Sequence, residues 1–156
     1  MAGDLRTTGT DNPPPPGTTS EEAVLAATGI RGPLVEKLGI EFLEFGQARV
    51  RARMPVEGNT QPYGILHGGA TASLCETVAS VGTAFLVGVE RLAVGIDLTI
   101  SHIRSARHGW VTVTAVPLRL GKTIAHWDMQ VHDDDGRLVA VARLTLAVRD
   151  PVTPAS

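Results

Sequence analysis

A long stretch in the middle of the chain carries almost no charge. Between Gly68 and Val89 the only Asp, Glu, Lys or Arg is Glu76, although charged residues make up 19% of the whole sequence. The stretch is about as long as a membrane span, but its five Ser and Thr residues and its single carboxylate favour a helix buried in a protein core. We therefore predict a core helix from Gly68 to about Val87, which other parts of the chain must cover on nearly all sides.

Segments that alternate between apolar and polar residues lie on both sides of this helix. In one of them Val50, Ala52 and Met54 alternate with arginines, which is typical of a half-buried antiparallel strand. Asp135 and Gly136 can adopt the positive φ angles of a tight hairpin turn between two later strands. The pattern predicts strands at residues 40–45, 47–54, 92–104, 109–120, 123–132 and 137–149, and short helices at residues 19–28 and 33–38.

The order of these elements is a strand hairpin, one long helix and then a four-strand meander, which predicts an α+β fold. A curved antiparallel β-sheet wrapped around the central helix would cover it. We expect one domain at residues 19–150, a disordered N-terminal tail at residues 1–18, where four prolines are consecutive, and a C-terminal tail at residues 151–156. Such a sheet has unpaired edge strands, so we expect copies of the chain to associate as a dimer or a dimer of dimers.

The composition excludes several classes of partner. A net charge of −2 and a pI of about 6.2 give no general attraction for nucleic acid or for an anionic membrane, so neither is expected as a partner. The single cysteine, Cys75, rules out an intramolecular disulfide and fits a reducing compartment. The first residues lack the pattern of a signal peptide, so we expect a cytoplasmic protein. No metal is expected, because the histidines lack the close spacing of metal ligands.

The start of the predicted helix has the properties of an oxyanion-binding site. The first backbone N–H groups of a helix have no intrahelical acceptor, and the positive end of the helix dipole lies there. Glycine at positions 68 and 69 would let a ligand oxygen approach these donors closely. The alternative is that Gly68 and Gly69 only allow the loop at His67 to pack tightly against the helix.

A short polar stripe follows one side of the helix. At 100° per residue Ser73, Glu76, Ser80 and Thr83 share this side. The stripe has no Lys or Arg, so we interpret it as the lining of a small cleft in which Glu76 is the only ionisable group. Loss of water around this carboxylate would strengthen it as a base or a nucleophile. The alternative is an exposed or arginine-paired glutamate.

Glu76 and the helix start are too far apart to act together in one chain. Nine residues separate His67 from Glu76, which is about 13 Å along a helix axis. A dimer with antiparallel helices would bring Gly68 of one copy next to Glu76 of the other.

These residues resemble those of a known family. Gln61, His67, Gly68 and Gly69, followed by Glu76 and Ser80 at these spacings, are similar to the hotdog-fold acyl-CoA thioesterases of the branch that contains 4-hydroxybenzoyl-CoA thioesterase and the enterobactin-pathway proofreading thioesterase. The resemblance runs from about residue 39 to residue 149. It includes residues 101–104, Ser-His-Ile-Arg, and the turn at residues 133–137.

The resemblance implies a hotdog fold and the hydrolysis of an acyl-CoA, with coenzyme A present only as part of the substrate. Glu76 would attack the thioester carbonyl or activate water, and the Gly68 N–H would hold the carbonyl oxygen. Gln61 and His67 would position the thioester, and Ser80 would orient water or substrate. Further substrate contacts are expected from Gly69 at the helix start and from Ser73 and Thr83 in the polar stripe, and the resemblance implies phosphate contacts at Arg104, Lys122, Thr123 and Arg149.

Two other functions fit parts of the sequence. Hydratases with this fold use an Asp and a His five residues apart, as Asp97 and His102 are, but five positions along a strand place two side chains on opposite faces. A non-catalytic acyl-CoA-binding protein would keep the pocket but has no need of Glu76. The small number of aromatic residues is compatible with either a small aryl or a medium-chain aliphatic acyl group.

Overall fold

The fold is described from a computed structural model, which covers residues 32–88 and 90–150. The predictions for both tails and for a helix at residues 19–28 lie outside these residues. Two helices and six strands are present: α1 (Pro33–Leu38), β1 (Glu41–Phe45), β2 (Val50–Pro55), α2 (Gly68–Val87), β3 (Leu92–His102), β4 (Trp110–Leu120), β5 (Ile124–Asp133) and β6 (Leu138–Arg149).

The six strands form one antiparallel sheet in the order β1-β2-β4-β5-β6-β3. The predicted four-strand meander is therefore wrong in one respect, because β3 pairs with β6 at the far edge and β4 pairs with β2. Short turns at residues 121–123 and 134–137 keep β4, β5 and β6 next to one another. The longer connection at residues 103–109 lets the chain cross the end of the sheet between β3 and β4.

The central helix packs on one face of the sheet, as predicted. Strand β2 turns Val50, Ala52 and Met54 towards it, and all three are fully buried, while the arginines between them are partly exposed. Trp127 on β5 is the largest fully buried side chain, and its ring lies against Gly82 of α2. The apolar face of the sheet and the helix thus share one core.

Within the described residues, α2 is the one helix long and apolar enough to span a membrane by length and composition. Ten of its residues are buried, and strands β2 to β6 contact it. This packing identifies it as the core helix of a small domain. A curved antiparallel sheet around one long helix is the hotdog architecture, so the predicted fold class is confirmed.

Two β-bulges lie at the same level of the sheet. One is in β3 between Gly95 and Asp97, and the other is in β4 between Pro117 and Arg119. Arg119 pairs with His126 of β5, His126 pairs with Thr145 of β6, and Thr145 pairs with Asp97, so the two bulges lie in one row across the sheet. Because a bulge bends its strand, the paired bulges help the sheet to curve around α2.

Candidate active site

The backbone donors in the first turn of α2 are almost all used within the chain. His67 is the N-cap residue, and its Nδ1 accepts a hydrogen bond of 2.8 Å from the Gly69 N–H. The N–H groups of Ala70 and Thr71 both donate to the His67 carbonyl, at 3.0 and 3.2 Å. Among the described residues the Gly68 N–H has no acceptor, so it is the donor left for a ligand oxygen.

The cap also assigns the protons of His67. Because Nδ1 accepts a hydrogen bond, the neutral imidazole carries its proton on Nε2. His67 is exposed, so this N–H can donate to a ligand. Gly69, in contrast, donates its N–H to Nδ1 of His67 and is therefore not available as a second backbone donor to a ligand oxygen.

The two glycines also make room for imidazole rings. A methyl group added at Gly68 would lie 2.8 Å from Nε2 of His102, and one added at Gly69 would lie 3.0 Å from Nδ1 of His67. Tight packing at the helix start therefore does account for glycine at both positions. It does not remove the donor role of Gly68, since its N–H remains without an acceptor in the described chain.

His102 is a site residue that the sequence reasoning missed. It is the last residue of β3, and its ring lies against the first residue of α2. From the sequence, His102 belongs to the motif at residues 101–104 and forms half of a hydratase-like pair with Asp97, which lines a groove on the other face of the sheet. The pair is therefore not assembled. The sequence contains the Ser-His-Ile-Arg motif at residues 101–104, but only the fold shows that its histidine lies next to the start of α2.

A cleft of about 280 Å³ opens beside this helix start. Residues from four parts of the chain line it. They include Gln61 from the loop before α2, Gly68 and Thr71 from the helix, His102 and Arg104 from the end of β3 and the loop after it, and Val139 from β6. Three of the predicted site residues, Gln61, Gly68 and Arg104, are thus brought together. The cleft combines a free backbone donor, an amide, an imidazole and a guanidinium, a set that can bind the oxygen atoms of an ester or a phosphate.

Glu76 lies outside this cleft. It follows Gly68 by eight residues, or about 12 Å along the axis, and its carboxylate lies against Gly95 of β3. In the single chain this side chain is exposed, so the expected burial of Glu76 in a cleft is not found within one copy. The predicted separation between the carboxylate and the helix start agrees with the structure.

The polar stripe is only partly a cleft lining. Ser73 and Ser80 are half-buried, and the Ser73 hydroxyl donates to the Gly69 carbonyl at 2.9 Å. Thr83 is fully buried, and its Oγ1 accepts a hydrogen bond of 2.8 Å from Nε1 of Trp127. The assignment of Thr83 to substrate binding is therefore wrong. A helical wheel shows the direction in which a side chain points. It does not show whether the sheet covers that side of the helix at the residue's position along the axis.

The four residues expected at the phosphates do not form one cluster in a single chain. Arg104 lines the cleft, whereas Arg149 is at the opposite end of the sheet and donates to the Thr123 carbonyl at 3.2 Å. Lys122 is exposed in the same turn as Thr123. The two groups are about 30 Å apart along β6, because His102 pairs with Ala140 and Leu92 pairs with Arg149.

Two other kinds of reactive group can be assessed in the described residues, a thiol and a cluster of metal-binding side chains. Cys75 is fully buried, and burial raises the pKa of its thiol to about 12, so it stays protonated and unreactive, as expected of a structural cysteine. In residues 32–88 and 90–150 no three His, Cys, Asp or Glu side chains are grouped closely enough to hold a metal ion.

Comparison with known proteins gives consistent matches. Residues 63–140 match the family model described as the Thioesterase superfamily. The chain is 39% identical to the proofreading thioesterase EntH of Cronobacter turicensis over 80% of this chain and 90% of that protein. It is also 39% identical to the 1,4-dihydroxy-2-naphthoyl-CoA hydrolase of Escherichia coli, over 75% and 87% of the two chains. The crystal structure of a thioesterase from Haemophilus influenzae superposes with a TM-score of 0.81 at 31% identity, covering 90% of this chain and 99% of the other.

Proposed function

The chain belongs to the thioesterase superfamily, and from this premise we propose that it hydrolyses an acyl-CoA thioester with a small aryl or medium-chain acyl group to the free acid and coenzyme A. Coenzyme A takes part only as the leaving group of the substrate, and no other cofactor is needed. We place the reaction in the cytoplasm. The observation that carries the proposal is the unpaired Gly68 N–H at the start of α2, in a cleft beside Gln61 and His102.

The helix start would stabilise the charge that develops during hydrolysis. When a nucleophile adds to the thioester carbonyl, its oxygen becomes negative, and the Gly68 N–H together with the positive end of α2 can stabilise it. The Nε2–H of His67 and the amide of Gln61 can donate to the same thioester group or to the leaving sulfur. The helix backbone fixes the Gly68 N–H and the cap holds the His67 ring, so these two donors need little reorganisation when the substrate binds.

Glu76 has two possible roles in the attack. As a nucleophile, it would form a mixed anhydride and expel the coenzyme A thiolate, and water would then hydrolyse the anhydride. As a general base, it would take a proton from a water molecule that attacks the carbonyl carbon directly. In both routes Ser80, one turn after Glu76, can orient the water or the substrate.

The proposed site requires two copies of the chain. The distance between Gly68 and Glu76 along one helix is about 12 Å, so a second copy with an antiparallel helix would supply the carboxylate. The unpaired edge strand β3 supports this arrangement, because it runs beside Glu76 and leaves Leu92 and Ile96 46% and 58% exposed. We propose a dimer or a dimer of dimers.

The acyl group can be assigned with a panel of thioesters. The printed name of the E. coli relative supports including 1,4-dihydroxy-2-naphthoyl-CoA beside benzoyl-CoA, hexanoyl-CoA and octanoyl-CoA. Release of the coenzyme A thiol is measured for the wild type, for Glu76→Gln and for Glu36→Gln, a matched control at an exposed position on α1. We expect Glu76→Gln to lower kcat on the preferred substrate by about 100- to 10,000-fold and the control to have no effect.

Two results would contradict the proposal. If the wild type hydrolyses none of these thioesters but binds coenzyme A saturably, the chain is a non-catalytic acyl-CoA-binding protein. If Glu76→Gln keeps the wild-type rate, the carboxylate has no part in the chemistry.

A further inference from the structure

Gly95 on the edge strand β3 lies directly beneath the carboxylate of Glu76. A methyl group added at Gly95 would lie 2.5 Å from Oε1 and 3.3 Å from Cδ of Glu76. Side-chain methyl groups essentially never approach another heavy atom to less than 3.0 Å. The carboxylate therefore occupies the space that any other residue at this position would fill.

The backbone gives no other reason for glycine here. The described residues with positive φ are Gly39, Gly58, Gly64, Gly88, Gly109 and Gly136, and Gly95 is not among them. A β-bulge follows Gly95, but without a positive φ this bulge does not require glycine. Glycine inside a strand usually lowers stability, and the contact with Glu76 is the close approach that the structure shows at this position. Because the carboxylate is the far end of a flexible, exposed side chain, a methyl group at position 95 would displace the carboxylate rather than the strand.

The neighbouring residues of β3 do not offer the same space. Ala93, Leu98 and Ile100 all pack against the buried core beneath α2. At Gly95, on the same side of the strand, the Glu76 side chain from the helix comes close to the strand backbone. The exposed Glu76 side chain is otherwise free to adopt several rotamers, and contact with the strand limits where its carboxylate can lie.

We propose that Gly95 is a positioning residue, which lets the Glu76 carboxylate lie flat against β3 and thereby sets its distance from the reacting carbonyl. This inference rests on the proposed function, because it assigns a role in catalysis through Glu76. A shift of about 1 Å in a reacting group can cost about 100-fold in rate. A single methyl group at position 95 is large enough to cause such a shift.

The direct test is the substitution Gly95→Ala. We expect kcat to fall by about 10- to 100-fold, KM to change by less than about threefold, and the melting temperature to stay the same or rise, because alanine removes backbone freedom from the unfolded chain. Val116→Ile is the matched control, since it adds one carbon at an exposed position of β4, away from the β3 edge, where Val116 is 40% exposed. The control should keep kcat within about twofold of the wild type. A Gly95→Ala enzyme with kcat within twofold of the wild type would overturn the proposal.

A second pair of variants tests whether Gly95 acts through Glu76. The substitution Glu76→Asp shortens the side chain by one methylene and withdraws the carboxylate from position 95. Added to Glu76→Asp, Gly95→Ala should change the remaining rate by less than about twofold. If it lowers the rate by the same factor in both backgrounds, Gly95 acts elsewhere and the proposal is wrong.

A third measurement needs no turnover. In protein labelled with ¹³C at the glutamate carboxyl carbons, the signal that disappears in Glu76→Gln belongs to Glu76. We expect this signal to shift in Gly95→Ala and not in Val116→Ile, while the other glutamate signals stay in place. An unmoved signal would overturn the contact. If the wild type hydrolyses no thioester, the proposed function fails, and this measurement still decides whether Gly95 positions the carboxylate.

Discussion

At the scale of single residues, the start of α2 brings Gly68 next to His102, which lies far from it in the sequence. Gly68 could be identified because any helix leaves its first N–H groups unpaired and the adjacent sequence marks the start. His102 could not be identified as a neighbour of Gly68, because it is 34 positions away in the sequence and only the path of β3 brings it there. Thr83 was misassigned because its hydroxyl has a buried partner, Trp127, on a distant strand.

The Gly68 donor can be removed without changing the helix. Proline is tolerated at the first position of a helix and lacks an N–H, and the extended conformation of His67, with ψ 129°, suits a residue before proline. Gly68→Ala is the matched control, because both variants press a Cβ against His102 but only Gly68→Pro loses the donor. We expect the kcat of Gly68→Pro to be about 100- to 1,000-fold below that of Gly68→Ala. Equal kcat values in the two variants would exclude this N–H from catalysis.

At the scale of elements, hydrophobic pattern predicted which segments are strands, and turn length decided which strands are neighbours. The central helix, the β2 alternation and the Asp135-Gly136 turn were all predicted from local sequence, and the structure contains them. The position of β3 in the sheet was not predicted, because the connection at residues 103–109 is seven residues long and does not force β3 and β4 to pair as a hairpin. Because β3 lies at the edge, a strand without a second partner among the described residues runs beside Glu76.

The hydrogen bond from Trp127 to Thr83 joins the helix to the centre of the sheet. Thr83→Val keeps the side-chain shape but leaves the buried Trp127 Nε1–H without an acceptor, which should lower the free energy of unfolding by about 1–3 kcal/mol. Thr71→Val is the matched control on the same helix, because Thr71 is also buried and accepts no hydrogen bond from the described residues. The Thr71 hydroxyl donates weakly to the His67 carbonyl, which keeps two backbone N–H donors, so we expect the control to change the free energy of unfolding by less than about 1 kcal/mol.

Urea unfolding at a fixed protein concentration measures both values. The folded Thr83→Val enzyme should keep kcat and KM within about threefold of the wild type, because its hydroxyl lies in the core. A large rise in KM with unchanged stability would instead restore Thr83 to the substrate site.

At the scale of the whole molecule, the hotdog architecture and membership of the thioesterase superfamily agree with the sequence-based interpretation. One chain, however, does not bring together all the groups that the proposed chemistry needs. The proposed oxyanion donor, the Gly68 N–H, lies in a cleft at one end of α2, and Glu76 is exposed two turns further along, beside the edge strand β3. Sequence spacing already predicted this separation, because the rise of a helix is fixed. Which surfaces of two copies meet depends on packing between chains, which spacing does not determine.

The central claim is that Glu76 of one copy acts on a thioester held at Gly68 of another, and subunit mixing tests it most directly. Glu76→Gln and Gly68→Pro are co-expressed with different tags, and dimers that carry both tags are purified. Each variant alone should be nearly inactive. In the mixed dimer one of two symmetric sites combines an intact Gly68 with an intact Glu76, so we expect about half of the wild-type kcat per dimer. A mixed dimer no more active than its two parents would show that the carboxylate and the donor do not come from different copies.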